Sequence, residues 1–115
     1  MRRGEVWLAD LEPARGSEAN KTRPVVLVSN NGANSAAERL GRGVVTVVPL
    51  TSNIATLYEF QVLLPRTATT LRQDSKAQAE QVRSVDVRRL SRRVGVIPLS
   101  LLRDLDDALR VHLSL

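Results

Sequence analysis

Apolar stretches alternate with short polar segments along the whole chain, and their periodicity predicts mostly short strands. Two stretches, 24–29 and 44–50, are apolar at successive positions, which is typical of strands buried on both faces. Further strands are expected where apolar and polar positions alternate or turn residues bound a short run; these are 5–11, 58–64, the irregular segment 76–85 and 93–97. The pattern therefore predicts a sheet of several strands.

Helical periodicity is clearest after Pro98. There, leucine and alanine recur at the spacing of one helical face and charged residues occupy the other, which predicts an amphipathic C-terminal helix. A short helix is expected at 35–40, ended by Gly41, and a single helical turn at 86–90. Short strands with two or three helices indicate a small α+β domain built on a curled sheet or barrel.

The segment 12–22 is polar and turn-rich and predicts a long surface loop. A loop of this length without structure of its own is often functional. The following strand is expected to begin at Pro24, because proline fits a strand best at its first position. Two other polar segments, 30–34 and 65–74, are expected to form a turn and a loop.

Length and charge add a partner to this picture. The chain has 115 residues, which indicates one domain over 1–115. It carries 17 Lys and Arg against 12 Asp and Glu, a net charge of +5, and only Lys21 and Lys76 of the 17 are lysine. Arginine offers planar, paired donors that suit phosphates, although GC-rich codon usage also favours it. The balance indicates an acidic partner.

Several kinds of chemistry are excluded by composition. The chain has no cysteine and one histidine, His112, so disulfides, thiolate sites and multi-histidine metal sites are ruled out. No Gly-rich phosphate loop precedes a helix, and the carboxylates do not cluster into a metal site. We therefore expect no metal and no cofactor. Since there is no long apolar run and no signal segment, we expect a cytoplasmic protein that does not enter membranes.

The remaining candidates are polar residues at the ends of predicted strands. Arg23 precedes one buried strand and Thr51-Ser52 follows the other, so the two ends meet if the strands are neighbours. On spacing alone, simpler interpretations are favoured: Arg23 forms an exposed ion pair, for example with Glu18, and Thr51-Ser52 forms an ordinary turn.

Four motifs, taken in order, resemble the MazF/PemK toxins, the endoribonucleases of bacterial toxin–antitoxin systems. They are Gly4-Glu5-Val6-Trp7 followed by Gly16-Ser17-Glu18, then Arg23-Pro24-Val25-Val26-Leu27-Val28-Ser29, then Val48-Pro49-Leu50-Thr51-Ser52, and finally Ala79-Glu80-Gln81-Val82-Arg83-Ser84-Val85. Each motif is unspecific alone, but together they follow the family's order over nearly the whole chain.

The resemblance implies an SH3-like β-barrel with added helices, working as a homodimer. It implies metal-independent cleavage of single-stranded RNA at a short sequence, and an acidic antitoxin that blocks the RNA groove. By motif, Arg23 and Thr51 correspond to the family's catalytic pair. The positions that line or flank the groove correspond to Glu18, Ser52, Lys76 and Gln81.

A chemical hypothesis follows from these residue types. RNA is cleaved when its own 2′-OH attacks the adjacent phosphate, which leaves a 2′,3′-cyclic phosphate and a 5′-OH. Arg23 would stabilise charge on the phosphorane and Thr51 would orient the phosphate or the 2′-OH. No obvious general base is present: Glu18 is a weak candidate, and His112 is expected to be a packing residue on or beside the apolar face of the last helix.

Two other functions remain open. A gyrase-poisoning toxin of the CcdB group would share the fold, but the chain ends Val-His-Leu-Ser-Leu and lacks the aromatic expected there. A non-catalytic RNA- or protein-binding barrel would use Arg23 only as a phosphate contact.

A basic cluster has two interpretations, a docking surface for the antitoxin or a solvated face. Its members are Arg83, Arg88, Arg89, Arg92 and Arg93.

Overall fold

Seven strands and two α-helices follow one another in the computed structural model, which describes residues 1–115. The strands are β1 (Glu5–Asp10), β2 (Thr22–Leu27), β3 (Val44–Thr51), β4 (Gln61–Leu64), β5 (Ser75–Gln78), β6 (Arg83–Asp86) and β7 (Leu90–Val96). The helices are α1 (Asn31–Leu40) and α2 (Leu99–Leu113), and single 3₁₀ turns lie at Ala79–Gln81 and Val87–Arg89. The α+β class is confirmed.

Strand β3 is the centre of the sheet because it pairs with three other strands. The order is β4-β5-β3-β2-β1-β7, and β6 also pairs with β3. Neighbouring strands are antiparallel throughout. The ends of this order, β4 and β7, are not hydrogen-bonded to each other, so the sheet is not closed.

The core lies on both sides of β2 and β3, as their continuous apolar sequence predicts. Val26 of β2 belongs to a cluster that α2 covers with Leu105 and Ala108. Its neighbour Val25 points to a second cluster that α1 joins through Ala37. Because successive side chains of a strand face opposite ways, apolar residues at consecutive positions serve both clusters. Neither helix is long and apolar enough to cross a membrane.

Helix α1 begins at Asn31, so the predicted turn at 30–34 is wrong. Asn30 is the N-cap: its side-chain oxygen accepts a hydrogen bond of 2.8 Å from the backbone N–H of Ala33. Asn34 lies inside the helix, fully buried, and donates to the Ser29 carbonyl at 2.8 Å. The same polar residues that indicate a turn here start a helix instead. The predicted end at Gly41, in the left-handed conformation with φ 65°, is confirmed.

Strand β2 begins at Thr22, so Pro24 is its third residue and not its first. Pro24 pairs with Leu8 of β1, whereas the pairing of β2 with β3 begins only at Val25. Pro24 therefore lies where β2 is paired with β1 alone, and its missing N–H does not interrupt a ladder that has partners on both edges.

The segment 76–85 is not one bent strand but two strands joined by a 3₁₀ turn. Strand β5 pairs near the end of β3, with Ala77 opposite Leu50. Strand β6 pairs near its start, with Val85 opposite Val45. The turn lets one segment follow β3 along two parts of its length. In the 58–64 segment, the strand covers only Gln61–Leu64.

The cap of α1 provides a test of this part of the fold. Replacing Asn30→Ala removes the acceptor for Ala33 N–H, and we expect the free energy of unfolding to fall by about 1 kcal/mol. Asn30→Asp keeps an acceptor and is expected to change it by less than about half that amount. Urea unfolding followed by circular dichroism measures both, and equal stabilities for the alanine and aspartate variants would contradict the assignment.

Candidate active site

The pairing of β2 with β3 brings Arg23 and Thr51 to the same edge of the sheet. Val25 lies opposite Pro49 in this antiparallel pair. Arg23 is two residues before Val25 and Thr51 is two residues after Pro49, so the register directs both side chains to one place. Both residues, together with Ser52, line one cleft of about 670 Å³.

The charge of this cleft is of one sign. No aspartate or glutamate lines it, and five cationic residues do: Lys21, Arg23, Arg72, Arg92 and Arg93. Cations concentrated in a cleft attract anions and raise their local concentration. The cleft is therefore suited to a ligand that carries several phosphates.

Arg23 is held by a neutral partner and not by a carboxylate. Its Nε donates to the Asn20 carbonyl oxygen at 2.6 Å, and its Nη2 donates to the Asn20 side-chain oxygen at 2.9 Å. None of the ion pairs in the structure includes Arg23. The suggested ion pair with Glu18 is therefore absent, and the guanidinium keeps its full charge in the cleft.

The Thr51 hydroxyl accepts a hydrogen bond within its own turn, and its O–H group remains free to donate to another partner. Its oxygen accepts a hydrogen bond of 3.2 Å from the backbone N–H of Asn53. The O–H remains able to donate to a ligand oxygen. Ser52 is exposed beside it.

Lys76 stands opposite Thr51 across β3 and β5, but it does not line the cleft. Only 7% of the residue is exposed, and its Nζ donates to the Thr56 carbonyl oxygen at 2.5 Å. This bond fixes the segment that follows Thr51 and Ser52, so Lys76 supports the cleft from behind its lining.

Gln81 and Glu18 also lie outside the lining of the cleft. The Gln81 side chain accepts from Ala19 N–H and donates to the Ser17 carbonyl, both at 2.9 Å. Glu18 accepts a bond of 3.0 Å from the backbone N–H of Arg15. The predicted loop is present over residues 12–21, since Thr22 already begins β2, and its backbone is held by these bonds. Gln81 fixes the residues just before the Asn20–Arg23 contact.

Arg72 is a cleft residue that the sequence pattern does not indicate. It lies on the 65–74 loop, which approaches β7 at Gly95. A Cβ at Gly95 would lie 2.5 Å from the Thr70 hydroxyl oxygen, so any larger residue there would force the Thr70 side chain to move. The only sequence signal is an isolated glycine in a strand, which marks a close approach but not its partner.

Of the five arginines in the basic cluster of the sequence, two line the cleft and the other three, Arg83, Arg88 and Arg89, do not. Arg92 and Arg93 line the cleft. Arg88 is bonded instead to Asp86, and hydrogen bonds from its side chain and backbone lower the pKa of Asp86 to about 2. Arg89 donates to the backbone carbonyls of Asp10, the last residue of β1, and of Glu12, at the start of the following loop.

Glu5 orients one cation of the cleft from outside it. Arg93 donates to Glu5 at 3.2 Å, and Trp7 Nε1 donates to the same carboxylate at 3.0 Å. Burial by itself raises the pKa of Glu5, but these bonds and one from the Arg2 backbone outweigh it and leave the pKa below its ordinary value.

His112 does not belong to the site. Its side chain is exposed, its ring lies 6.3 Å from the Phe60 ring, and it is not among the residues that line the cleft.

A family model agrees with the order of motifs and with this site. The model for the PemK-like, MazF-like toxin of type II toxin–antitoxin systems matches residues 2–113. The chain belongs to the PemK/MazF toxin family. The match spans both strands that form the site and both helices.

A sequence relative also supports this membership, and two solved structures have a similar fold. Endoribonuclease MazF9 of Mycobacterium tuberculosis is 61% identical over 115 residues, which is 100% of this chain and 98% of that protein. A crystal structure of MazF from Deinococcus radiodurans has a TM-score of 0.83 at 24% identity, over 100% of this chain and 97% of that one. An endoribonuclease in complex with its cognate antitoxin, from a mycobacterial species, has a TM-score of 0.78 at 22% identity, over 100% of this chain and 96% of that one.

Lys21 provides a test of the cleft that separates charge from stability. It adopts the left-handed conformation with φ 64°, which costs a non-glycine residue about 1 kcal/mol, and it lines the cleft. Lys21→Gly removes this strain, so we expect no loss of stability beyond about 0.5 kcal/mol. Binding of a single-stranded oligonucleotide should weaken, and the slope of log K against log salt should fall by about 0.7.

The matched control is Arg39→Ala, which removes a cation of α1 outside the cleft. It should leave that salt slope unchanged. An unchanged slope for Lys21→Gly, or equal changes in both variants, would contradict a phosphate contact at Lys21.

Proposed function

We propose that this chain is a sequence-specific, metal-independent endoribonuclease toxin that cleaves single-stranded RNA. Family membership and the 61% identity to an endoribonuclease support the activity. The observation that supports the site is the unneutralised Arg23 guanidinium beside the Thr51 hydroxyl, in a cleft without carboxylates.

The proposed reaction uses the RNA's own 2′-OH as nucleophile. Its oxygen forms a bond to phosphorus, the bond from phosphorus to the 5′ oxygen breaks, and the proton lost from the 2′-OH is balanced by one gained at the 5′ oxygen. The products are a 2′,3′-cyclic phosphate and a 5′-OH, and no water is consumed. The protein has to align the attacking oxygen and stabilise the negative charge of the phosphorane.

Arg23 and Thr51 are the proposed catalytic residues. Paired N–H groups of a guanidinium match two phosphate oxygens, so Arg23 binds the charge that develops in the transition state. The Thr51 hydroxyl, fixed by Asn53 N–H, donates to a phosphate oxygen or orients the 2′-OH.

Four further residues are proposed to line or flank the RNA. Ser52, on the cleft, contacts it directly. Lys76 and Gln81 act on the RNA groove by holding the segments on either side of the catalytic pair. Glu18 flanks the groove on the loop that precedes β2, where its carboxylate selects RNA groups that donate hydrogen bonds.

An acidic antitoxin is the proposed second partner, and its negatively charged segment would compete with RNA for the cleft. Charge supports this proposal, because a disordered acidic segment is steered to a cationic cleft and folds on binding. An RNA substrate also supports the expected cytoplasmic location.

The finer architecture is proposed as an SH3-like barrel in one domain over 1–115. Strand β3 supports it by pairing with β2 along one edge and with both β6 and β5 along the other. A homodimer is proposed as the working form. Apolar side chains exposed where β7 meets α2, Val96 at 51% and Leu99 at 61%, are suited to cover by a second copy.

Substitution of the two proposed catalytic residues tests the function. Arg23→Ala should reduce cleavage by about 100-fold or more, since a donor to transition-state charge is lost. Thr51→Ala should reduce it by at least about tenfold. The assay is cleavage of a long RNA in EDTA by protein whose folding is checked by circular dichroism. Arg23→Lys, which keeps the charge but loses the paired donors, should cleave at a rate between those of the wild type and Arg23→Ala.

Two outcomes would contradict this account. Near wild-type cleavage by Arg23→Ala would refute the assignment, and RNA retention without any cleavage by the wild type would indicate a binding module.

The nucleophile is tested on the substrate side. Deoxyribose at the cleavage position removes the 2′-OH, and we expect no cleavage there while binding persists. Fragments of the all-ribose RNA should carry 5′-OH ends, which polynucleotide kinase labels without prior phosphatase treatment. Cleavage of the deoxy substrate, or 5′-phosphate ends, would show a different mechanism.

A further inference from the structure

We infer that Asn20 is a positioning residue for Arg23, a role that rests on the proposed function of that arginine. Asn20 supplies two acceptors to one side of the guanidinium: its carbonyl oxygen binds Nε at 2.6 Å and its side-chain oxygen binds Nη2 at 2.9 Å. Two acceptors from one residue define both the position and the rotation of the planar group.

The contact leaves the other end of the guanidinium available. A guanidinium has five N–H groups, and Asn20 uses two of them. The remaining three, two on Nη1 and one on Nη2, have no partner in the protein. One N–H of Nη1 and the remaining N–H of Nη2 form the end-on pair of donors that matches two oxygens of a phosphate. Asn20 thus fixes one edge of Arg23 and presents the other.

The neutrality of Asn20 is the second part of the inference. Four other arginines are paired with carboxylates, among them Arg93 with Glu5, Arg88 with Asp86 and Arg3 with Asp106. An aspartate at position 20 would offer the same two acceptors but would cancel the charge that the phosphorane requires. An amide orients the guanidinium without weakening its field.

Asn20 can act in this way because its own backbone is fixed on both sides. Before it, Ala19 N–H donates to Gln81 at 2.9 Å, and Ala19 is 7% exposed. After it, Lys21 N–H donates to the Glu12 side chain at 2.7 Å, and the Lys21 carbonyl accepts from Leu11 N–H at 3.0 Å. Asn20 therefore lies on an anchored turn and not on a free loop.

The experiment compares single-turnover and steady-state cleavage of an RNA by a set of variants. Asn20→Ala removes one acceptor and lets the guanidinium rotate, so kcat should fall about tenfold while KM stays within about twofold. Asn20→Asp keeps the geometry but neutralises the charge, so KM should rise. Asn30→Ala, the same change at a helix cap outside the cleft, should leave both kinetic constants unchanged.

A second measurement tests whether Asn20 acts through Arg23. In the Arg23→Ala background, added guanidinium chloride at millimolar concentration should restore part of the cleavage, because Asn20 still offers its two acceptors to the free ion. In the Asn20→Ala, Arg23→Ala double variant this restoration should be lost. A merely structural role of Asn20 would leave it intact.

Two results would overturn the inference. One is wild-type kcat for Asn20→Ala with Arg23→Ala strongly impaired, which would leave the proposed function standing. The other is equal guanidinium rescue in the single and double variants. If Arg23→Ala itself cleaves at the wild-type rate, the proposed function fails, and this outcome is distinct from both.

Discussion

The site depends on one constraint, the antiparallel register between β2 and β3. Val25 opposite Pro49 puts the start of one buried strand beside the end of the other, and this alone brings Arg23 to Thr51. Both strands contribute to both core clusters, so a shift of one residue would exchange side chains between the clusters and disrupt the close packing of each. The hydrophobic core therefore fixes the distance between two residues that contribute nothing to that core.

Arginine content alone does not identify the site, but the partners of the arginines do. Arg3, Arg88, Arg93 and Arg110 are bonded to carboxylates. Arg23 is bonded only to the amide and carbonyl of Asn20. Arg89 is also held only by backbone carbonyls, but Arg23 is the one that lines the cleft, and no carboxylate is among the residues that line it. This distinction separates a group that stabilises developing charge from groups that stabilise the fold.

Much of the fold could be predicted because its signals are local. The continuous apolar runs of β2 and β3 indicate burial on both faces, and the leucine spacing after Pro98 indicates α2. The start of α1 could not be separated from a turn, because Asn30 and Asn34 suit both. Arg23, Thr51 and Ser52 were found from family motifs, whereas Arg72 was not. The position of Arg72 in the cleft depends on the contact between the 65–74 loop and Gly95. These two segments are far apart in the sequence, and no periodic pattern indicates that they meet.

A crystal structure with an RNA that carries deoxyribose at its cleavage position tests the central claim most directly. The account predicts that the scissile phosphate lies within hydrogen-bonding distance of Arg23 Nη1 and Nη2 and of the Thr51 hydroxyl, with both Asn20 bonds to Arg23 retained. RNA bound on another surface, or Arg23 turned away from Asn20 to reach the phosphate, would contradict it.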